Sequence, residues 1–258
     1  MKITCLAENT SNCAEVGCEH GLSLYIQTET HNILFDMGQS DLFFQNSQKL
    51  GVDISAVDIA ILSHGHYDHG GGLEKFFEVN SSAQVYISRY AFEEHYNGAD
   101  KYIGLAPMLK NSSRFIYTDK KTVIDNSLTL FSASDVIKKR NETSQGLNVK
   151  RNGELVPDDF IHEQYLMIEK NGKRILISGC SHNGVIDIAQ SFKQSVLIGG
   201  FHFSKLELDS GLADRARILN DFDCEYYTCH CTGVEQYEYM KKYMKKLNYI
   251  SAGQSIIL

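Results

Sequence analysis

Short apolar runs alternate with amphipathic stretches along the chain of 258 residues. The apolar runs have the length of strands, and most end at glycine, asparagine or aspartate. They are GLSLYIQT (21–28), NILFDMG (32–38), AVDIAILSH (56–64), AQVYISR (83–89), RFIYT (114–118) and SLTLFSAS (127–134). The polar residues Glu29 to His31 separate the first two runs, which predicts a hairpin.

Apolar residues at helical spacing predict helices between these strands. The predicted helices are SDLFFQNSQKLG (40–51), RYAFEEHYNG (89–98), NGVIDIAQSFKQ (183–194), LADRARILNDF (212–222) and TGVEQYEYMKKYMKKLN (232–248). Strands interleaved with helices indicate an α/β architecture in layers.

Two segments of the chain resemble one another at an offset of 142 residues, LYIQTETHNILFDMG (24–38) and LMIEKNGKRILISGC (166–180). Both have the pattern strand, polar turn, strand, with Leu, Ile, Ile and Leu at matching places. Two related halves would each contribute a sheet. The alternative is that any two β-hairpins look alike at this level.

The part from about 93 to 160 has weak periodicity, and we predict an insertion or lid within a single domain spanning 1–258. Its stretch Lys138 to Pro157 reads equally well as a disordered linker, because it is rich in charge and glycine. The lysines and arginine of KKR (138–140), with Lys150, are candidates to meet a substrate phosphate.

The composition and charge of the chain limit the kinds of molecule that it is expected to bind. The formal charge of −7, from 25 basic and 32 acidic residues, argues against a nucleic-acid surface. No signal peptide and no membrane-spanning apolar run is evident. The seven cysteines are odd in number and irregularly spaced, so reduced thiols in the cytoplasm are the simpler interpretation. We expect a small-molecule substrate and no membrane partner, and a homo-oligomer is compatible with these features.

The strongest chemical signal is SHGHYDHGGG, from Ser63 to Gly72. It follows the apolar strand 60–62 directly, and strand ends are where open α/β folds place their chemistry. His64, His66, Asp68 and His69 supply imidazole nitrogen and carboxylate oxygen, which suits Zn²⁺ best, with Fe, Mn or Ni as alternatives. One short loop of this kind can serve two neighbouring ions.

This motif, preceded by Asp36 and Gly38 in ILFDMG, resembles the metallo-β-lactamase-fold hydrolase superfamily. The resemblance is greatest to the branch related to 7,8-dihydropterin-6-methyl-4-(β-D-ribofuranosyl)aminobenzene-5'-phosphate synthase. The blocks that carry it are EHGLSLYI, ILFDMGQS, LSHGHYDHGGGL, SGCSHNG, GGFH and CHCTG. The resemblance implies a four-layer αββα sandwich with two mixed sheets and outer helices, and a site for two divalent ions.

Three further histidines follow predicted strands: His182, His202 and His230. The resemblance implies that His182 joins His64 and His66 around one ion. It likewise implies that His230 joins Asp68 and His69 around the other ion. His202 is predicted to contact substrate or its oxyanion, with metal ligation nearly as well supported.

The chain departs from the family pattern at Cys180, where many relatives carry a bridging aspartate. Cys180 would bind metal as a thiolate, or water alone would bridge the ions. Cys229 and Cys231 are predicted to be buried thiols pointing away from His230, because side chains alternate along an extended backbone.

The remaining candidates lie around the site. Asp36 is expected to accept a bond from a ligand imidazole or a loop amide. His20 is expected either to reach the site from the N-terminal hairpin or to be a turn residue. His31, His95 and His162 show no such context and are predicted to be solvated.

A divalent ion with an open coordination position lowers the pKa of bound water to about 7 and so provides a nucleophile. The predicted activity is hydrolysis of a small ester, lactone or phosphoester, a phosphorylated pterin-type compound among them, with Asp68 also orienting water and transferring its proton. Two alternatives stay open. One is a di-iron redox or oxygen-handling protein on the same fold, and the other is a non-catalytic metal-binding module.

Overall fold

The computed structural model describes residues 1–136 and 146–258, so the predicted phosphate contacts at 138–140 lie outside the described residues. The strands are β1 Lys2–Ala7, β2 Ser23–Gln27, β3 Asn32–Phe35, β4 Ile59–Ile61, β5 Gln84–Ser88, β6 Glu94–Asn97, β7 Lys101–Tyr102, β8 Phe115–Thr118, β9 Thr122–Val123, β10 Leu128–Ser132, β11 Leu147–Arg151, β12 Glu154–Pro157, β13 Gln164–Lys170, β14 Lys173–Ile177, β15 Val196–Ile198, β16 Glu225–Thr228, β17 Leu247–Tyr249 and β18 Ser255–Ile257. The helices are α1 Leu42–Lys49, α2 Tyr67–Gly70, α3 Leu73–Val79, α4 Ala133–Val136, α5 Val185–Phe192, α6 Ser210–Asn220 and α7 Val234–Met240.

The chain forms two compact units, which are described one at a time. The first unit comprises residues 1–119, 146–162 and 251–258. The second unit comprises the described residues from 120 to 136 and from 163 to 250.

The first unit is built on a seven-stranded sheet with the order β18-β1-β2-β3-β4-β5-β8. The hairpin predicted around Glu29 to His31 is confirmed as β2 and β3, which pair antiparallel, whereas β3, β4, β5 and β8 run parallel. Helices α1 and α3 bury apolar side chains against this sheet. The core they share includes Leu34, Phe43, Ala60, Leu73, Phe76 and Val85.

A second sheet in the first unit has four short strands in the order β12-β11-β6-β7. It contradicts two expectations. The predicted helix 89–98 is wrong, because its second half is the strand β6, in which buried His95 lies between the exposed Glu94 and the half-buried Tyr96. The linker interpretation is wrong for 146–157, because β11 and β12 form a hairpin there.

The second unit repeats the same plan, with a seven-stranded sheet ordered β17-β16-β15-β14-β13-β10-β9. Its hairpin β13–β14 is followed by the parallel strands β15, β16 and β17. The predicted helix at 183–194 is confirmed as α5, whose buried face is Val185, Ile188, Ala189 and Phe192. The helix predicted over 232–248 ends at Met240, because Leu247 is buried and pairs with Tyr226 as part of β17.

The α/β class with mixed sheets is therefore confirmed, with one seven-stranded mixed sheet in each unit and the small four-stranded sheet in the first. In both units the parallel strands end at segments that carry the predicted site residues. Within the two ranges that the structure describes, no helix has the length and apolarity to cross a bilayer. Disulfide bonds are absent from the same ranges, which include all seven cysteines.

Candidate metal centre

Asp36 organises the histidine motif in the first unit. It follows β3, and its Oδ1 accepts the backbone N–H of Ser63 at 2.7 Å. Its Oδ2 accepts Ser63 Oγ at 2.8 Å and His69 Nδ1 at 2.7 Å. All three residues are completely buried, so the carboxylate ties the end of β3 to the motif that follows β4.

This network assigns the protons on two imidazoles. A carboxylate can only accept hydrogen bonds, so Nδ1 of His69 must carry the proton of that ring. For the same reason Ser63 Oγ donates its hydroxyl proton to Asp36. Ser63 Oγ also lies 2.7 Å from Nδ1 of His64, and that nitrogen must therefore be the donor. Both rings then carry their lone pair on Nε2, the arrangement found when a carboxylate lies behind a metal-binding histidine.

The three imidazoles of the motif converge. The ring centres of His64 and His69 are 4.1 Å apart, and those of His64 and His66 are 4.6 Å apart. Asp68 and His69 lie in α2, at the start of the helical segment that follows the loop. Because neutral imidazoles and a carboxylate are costly to bury without a partner, the donor set fits a divalent cation.

Two close approaches hold the loop between His64 and His66. The N–H of Gly65 donates to Nδ1 of His162 at 2.9 Å. A Cβ at Gly65 would stand 2.2 Å from the carbonyl oxygen of Ala91, so the position requires glycine. The next peptide is fixed as well, because Tyr67 N–H donates to the carbonyl of Ile103 at 2.9 Å.

His20 reaches Asp68, which was one of its two predicted places. Its Nε2 lies 3.1 Å from Oδ2 of Asp68. Gly21 N–H donates to Oδ1 of Asn9, and Nδ2 of Asn9 then faces Nδ1 of His20 at 3.3 Å. The amide therefore donates to Nδ1, and His20 carries its proton on Nε2, directed at Asp68.

The prediction that His95 and His162 are solvated is wrong, since both are completely buried beside the motif. The ring of His66 lies 5.4 Å from that of His95 and 5.2 Å from that of His162. Asp158 holds them, with Oδ2 at 2.7 Å from Nδ1 of His95. No motif around His162 indicated that it lies beside the histidine motif. His95 was missed because the segment 89–98 was predicted to be a helix.

Burial lowers the pKa of His66 well below its usual value, and the neighbouring His162 and His95 lower it further. Burial also lowers the pKa of His95. For Asp158, burial alone would raise the pKa, but the imidazoles of His162 and His95 outweigh it and hold the pKa far below the usual range. Neutral imidazoles, the form that binds metal, are thus favoured.

In the second unit the turn that carries His182 is held by a buried carboxylate, that of Glu163. Its Oε1 accepts the N–H of His182 at 2.8 Å, and its Oε2 accepts the N–H and the side-chain amide of Asn183 at 3.1 and 2.8 Å. Tyr165 Oη donates to the same oxygen at 2.6 Å. Sequence reasoning missed Glu163, which the chain signals only as an acid directly before a strand.

The other predicted residues of the second unit form two groups. The rings of His182 and His202 are 4.4 Å apart. Cys180, His230 and Cys231 each offer a ligand atom within 4.8 Å of the others. The expectation that Cys231 points away from His230 is wrong, because His230–Thr232 is a 3₁₀ turn and the alternation of an extended strand does not apply. The assignment of His182 and His230 to the two predicted ions stays a prediction.

Several of these positions have strained backbone. Asp36, His202 and His230 have φ of 59°, 57° and 50°. Such left-handed conformations are uncommon for residues with a side chain, and they cluster at functional sites.

Comparisons with known proteins agree with this geometry. Residues 16–213 match the family model described as "Metallo-beta-lactamase superfamily". An uncharacterized protein of Methanocaldococcus jannaschii is 27% identical over 245 residues, 90% of each chain. The 7,8-dihydropterin-6-methyl-4-(beta-D-ribofuranosyl)-aminobenzene-5'-phosphate synthase of the same organism is 27% identical over 289 aligned residues, covering 99% of this chain and 96% of the relative.

Among solved structures, that of Tm1679, described as a metal-dependent hydrolase of the beta-lactamase superfamily, is similar with a TM-score of 0.85 and 29% identity. The match covers 100% of this chain and 99% of the other. The α/β fold is therefore shared with a known family.

Replacing Asp36 by asparagine should destabilise the metal-free protein by about 1–3 kcal/mol, because an amide nitrogen would face buried donors of Ser63 and His69. Urea unfolding measures this. Asp58→Asn is the matched control, since its exposed carboxylate accepts from His31 at 3.2 Å and should matter by less than about 0.5 kcal/mol. Equal losses in the two variants would contradict the role given to Asp36.

Alanine at Gly65 should cost about 1–3 kcal/mol or more, because its Cβ would collide with the backbone at Ala91. Thermal unfolding of the purified variant measures the loss. Gly211→Ala serves as control: the site is in α6, and the nearest atom to a new Cβ is Oδ1 of Asp209 at 3.2 Å. A Gly65→Ala protein as stable as the control would show that the loop can move away.

The metal-free protein should lose stability as the pH falls below about 6.5, the pKa of histidine in an unfolded chain. The lowered pKa values of His66 and His95 mean that the unfolded state takes up protons there while the folded state does not. Urea unfolding between pH 7 and 5 measures the slope. His95→Gln should reduce the slope by up to about one proton; an unchanged slope would contradict the neutral buried ring.

Proposed function

The chain belongs to the metallo-beta-lactamase superfamily, and from that premise we propose that it is a metal-dependent hydrolase of a small-molecule ester, lactone or phosphoester. The observation that carries the proposal is the buried network in which Asp36 and Ser63 fix the protons of His64 and His69 on Nδ1. That network leaves the Nε2 atoms of both rings as ligands for a cation. We propose that the protein binds two divalent ions and that zinc is the preferred metal.

In this proposal His64, His66 and His69 bind metal together with Asp68. When bound, such an ion supplies a Lewis acid and an activated water. His182 and His230 remain sequence-predicted ligands, with Cys180 and Cys231 as thiols beside His230. The metal contents of His182→Ala and His230→Ala variants test these two assignments separately.

The residues of the first unit also provide an acceptor for a proton. Oδ2 of Asp68 faces Nε2 of His20 at 3.1 Å, and the side chain of His20 is 54% exposed. Asp68 can therefore accept a proton from the attacking water, and the Nε2–H of His20 orients its carboxylate. His202 is proposed to contact the substrate, in keeping with its half-buried position and strained backbone.

The relative named as a synthase favours a second candidate. Its similarity extends over 99% of this chain, and its name describes formation of a phosphorylated pterin-type compound rather than hydrolysis. The same metal ligands would serve either reaction. A substrate panel for this protein therefore has to include phosphorylated pterin-type compounds beside esters, lactones and phosphodiesters.

The decisive experiment is elemental analysis of the protein after growth in metal-replete medium, followed by that panel. We expect about two equivalents of divalent transition metal, predominantly zinc. His66→Ala should lower metal content and reduce turnover by at least about 100-fold, since changes to residues that only hydrogen-bond a metal ligand cost about 10–100-fold. His31→Ala, a histidine outside the site, is the matched control.

Each other result has a clear meaning. Less than about half an equivalent of metal, or turnover that survives His66→Ala, would refute the hydrolase proposal. Iron as the only metal would favour the redox alternative. Full metal content without turnover on any substrate class would favour the binding module.

A further inference from the structure

The buried residues His95, Asp158 and His162 form a group, here called the Asp158 cluster, that the proposed chemistry does not use. The side chains of all three are completely buried in the first unit. Oδ2 of Asp158 lies 2.7 Å from Nδ1 of His95 and 3.4 Å from Nε2 of His162, and its Oδ1 accepts the N–H of Phe160 at 2.8 Å. A buried carboxylate with two imidazoles is costly to maintain without a purpose.

Hydrogen-bond chemistry fixes the proton on each ring. Asp158 can only accept, so Nδ1 of His95 carries a proton and its Nε2 carries the lone pair. His162 accepts the N–H of Gly65 on Nδ1, so its proton is on Nε2, the atom that faces Asp158. Among the described residues, Nε2 of His95 has no hydrogen-bond partner. The cluster therefore presents one buried acceptor, and the ring beside it is that of His66.

The same reasoning argues against a further cation bound by these residues, although His66, His95, Asp158 and His162 each offer an atom within 4.8 Å of the others. His162 has its lone pair committed to Gly65. Oδ2 of Asp158 already faces two imidazole nitrogens. Only His95 and His66 would remain, and a structural ion needs about four ligands.

We propose that the Asp158 cluster positions the ligand His66, an inference that rests on the proposed metal site. His95 accepts, on Nε2, the proton of whichever His66 nitrogen does not bind the ion. His162 holds the preceding peptide by accepting the N–H of Gly65. Asp158 accepts the Nδ1–H of His95 and lies 3.4 Å from Nε2 of His162, so that it acts on His66 through these two rings.

The ring geometry suits this role. The His66 and His95 rings stand edge to face, with an interplanar angle of 79° and centres 5.4 Å apart. An imidazole-to-imidazole hydrogen bond of ordinary length places ring centres about 5 Å apart. The observed ring separation is thus close to that of a hydrogen-bonded imidazole pair.

Two substitutions of His95 by residues of similar size distinguish a hydrogen-bonding role of its ring from a role in packing alone. His95→Gln can place an acceptor oxygen near the position of Nε2, whereas His95→Asn keeps a donor to Asp158 but has no acceptor there. Zinc affinity is measured by competition with a chelator, and the visible spectrum of the Co²⁺-substituted protein reports the ligand geometry. We expect His95→Asn and Asp158→Asn to bind about 10–100-fold more weakly, and His95→Gln to lie close to wild type.

The controls distinguish the possible failures. His31→Asn removes a half-buried imidazole that pairs with Asp58, away from the cluster, and should leave affinity unchanged. Asparagine at 95 with wild-type affinity and Co²⁺ spectrum would overturn the inference while leaving the proposed function intact. So would the loss of a whole equivalent of zinc at saturation, because His95 would then be a ligand. Wild-type protein that binds no metal would refute the proposed function itself.

Nitrogen-detected NMR of the histidine rings in the metal-free protein adds a readout independent of metal. We expect the proton on Nδ1 of His95 and on Nε2 of His162. The opposite tautomer on either ring would overturn the inference, because His95 would then present no acceptor to His66, or His162 none to the N–H of Gly65.

Discussion

The first unit depends on one buried carboxylate, Asp36, that joins the end of one strand to the start of the next strand's loop. Because it accepts Ser63 N–H, Ser63 Oγ and His69 Nδ1, the positions of these groups and the protons of two imidazoles are set together. A buried charge of this kind is tolerated only when its bonds are complete. The completed network gives two rings whose Nε2 atoms carry lone pairs, in a chain that belongs to the metallo-beta-lactamase superfamily.

A buried carboxylate plays the same part at two further segments. Glu163 holds the turn at His182 through two backbone amides and the side chains of Asn183 and Tyr165, and Asp158 holds His95. In every case an acid that does not belong to the histidine motif itself fixes a histidine or its peptide. The two units thus share their topology, a hairpin followed by parallel strands, and also the way in which they hold imidazoles.

The sequence predicted much of this because the informative signals are local. Apolar runs of strand length located the hairpins. The residue types and spacing of the motif from His64 to His69 were enough to predict a metal site. His95, Asp158 and His162 could not be found in that way. They come from β6 and from the segment after β12, and only pairing of β6 with β11 brings them beside His66. Cys231 was misplaced for a similar reason, since a 3₁₀ turn replaced the expected extended backbone.

The central claim is that Nε2 of His64 and Nε2 of His69 are metal ligands, selected by the protons that Asp36 and Ser63 hold on Nδ1. Crystals grown with zinc, with anomalous differences recorded at the zinc edge, test it most directly. The account predicts peaks about 2.0–2.1 Å from these two Nε2 atoms. Absence of zinc from both, or coordination through Nδ1 of either ring, would contradict it.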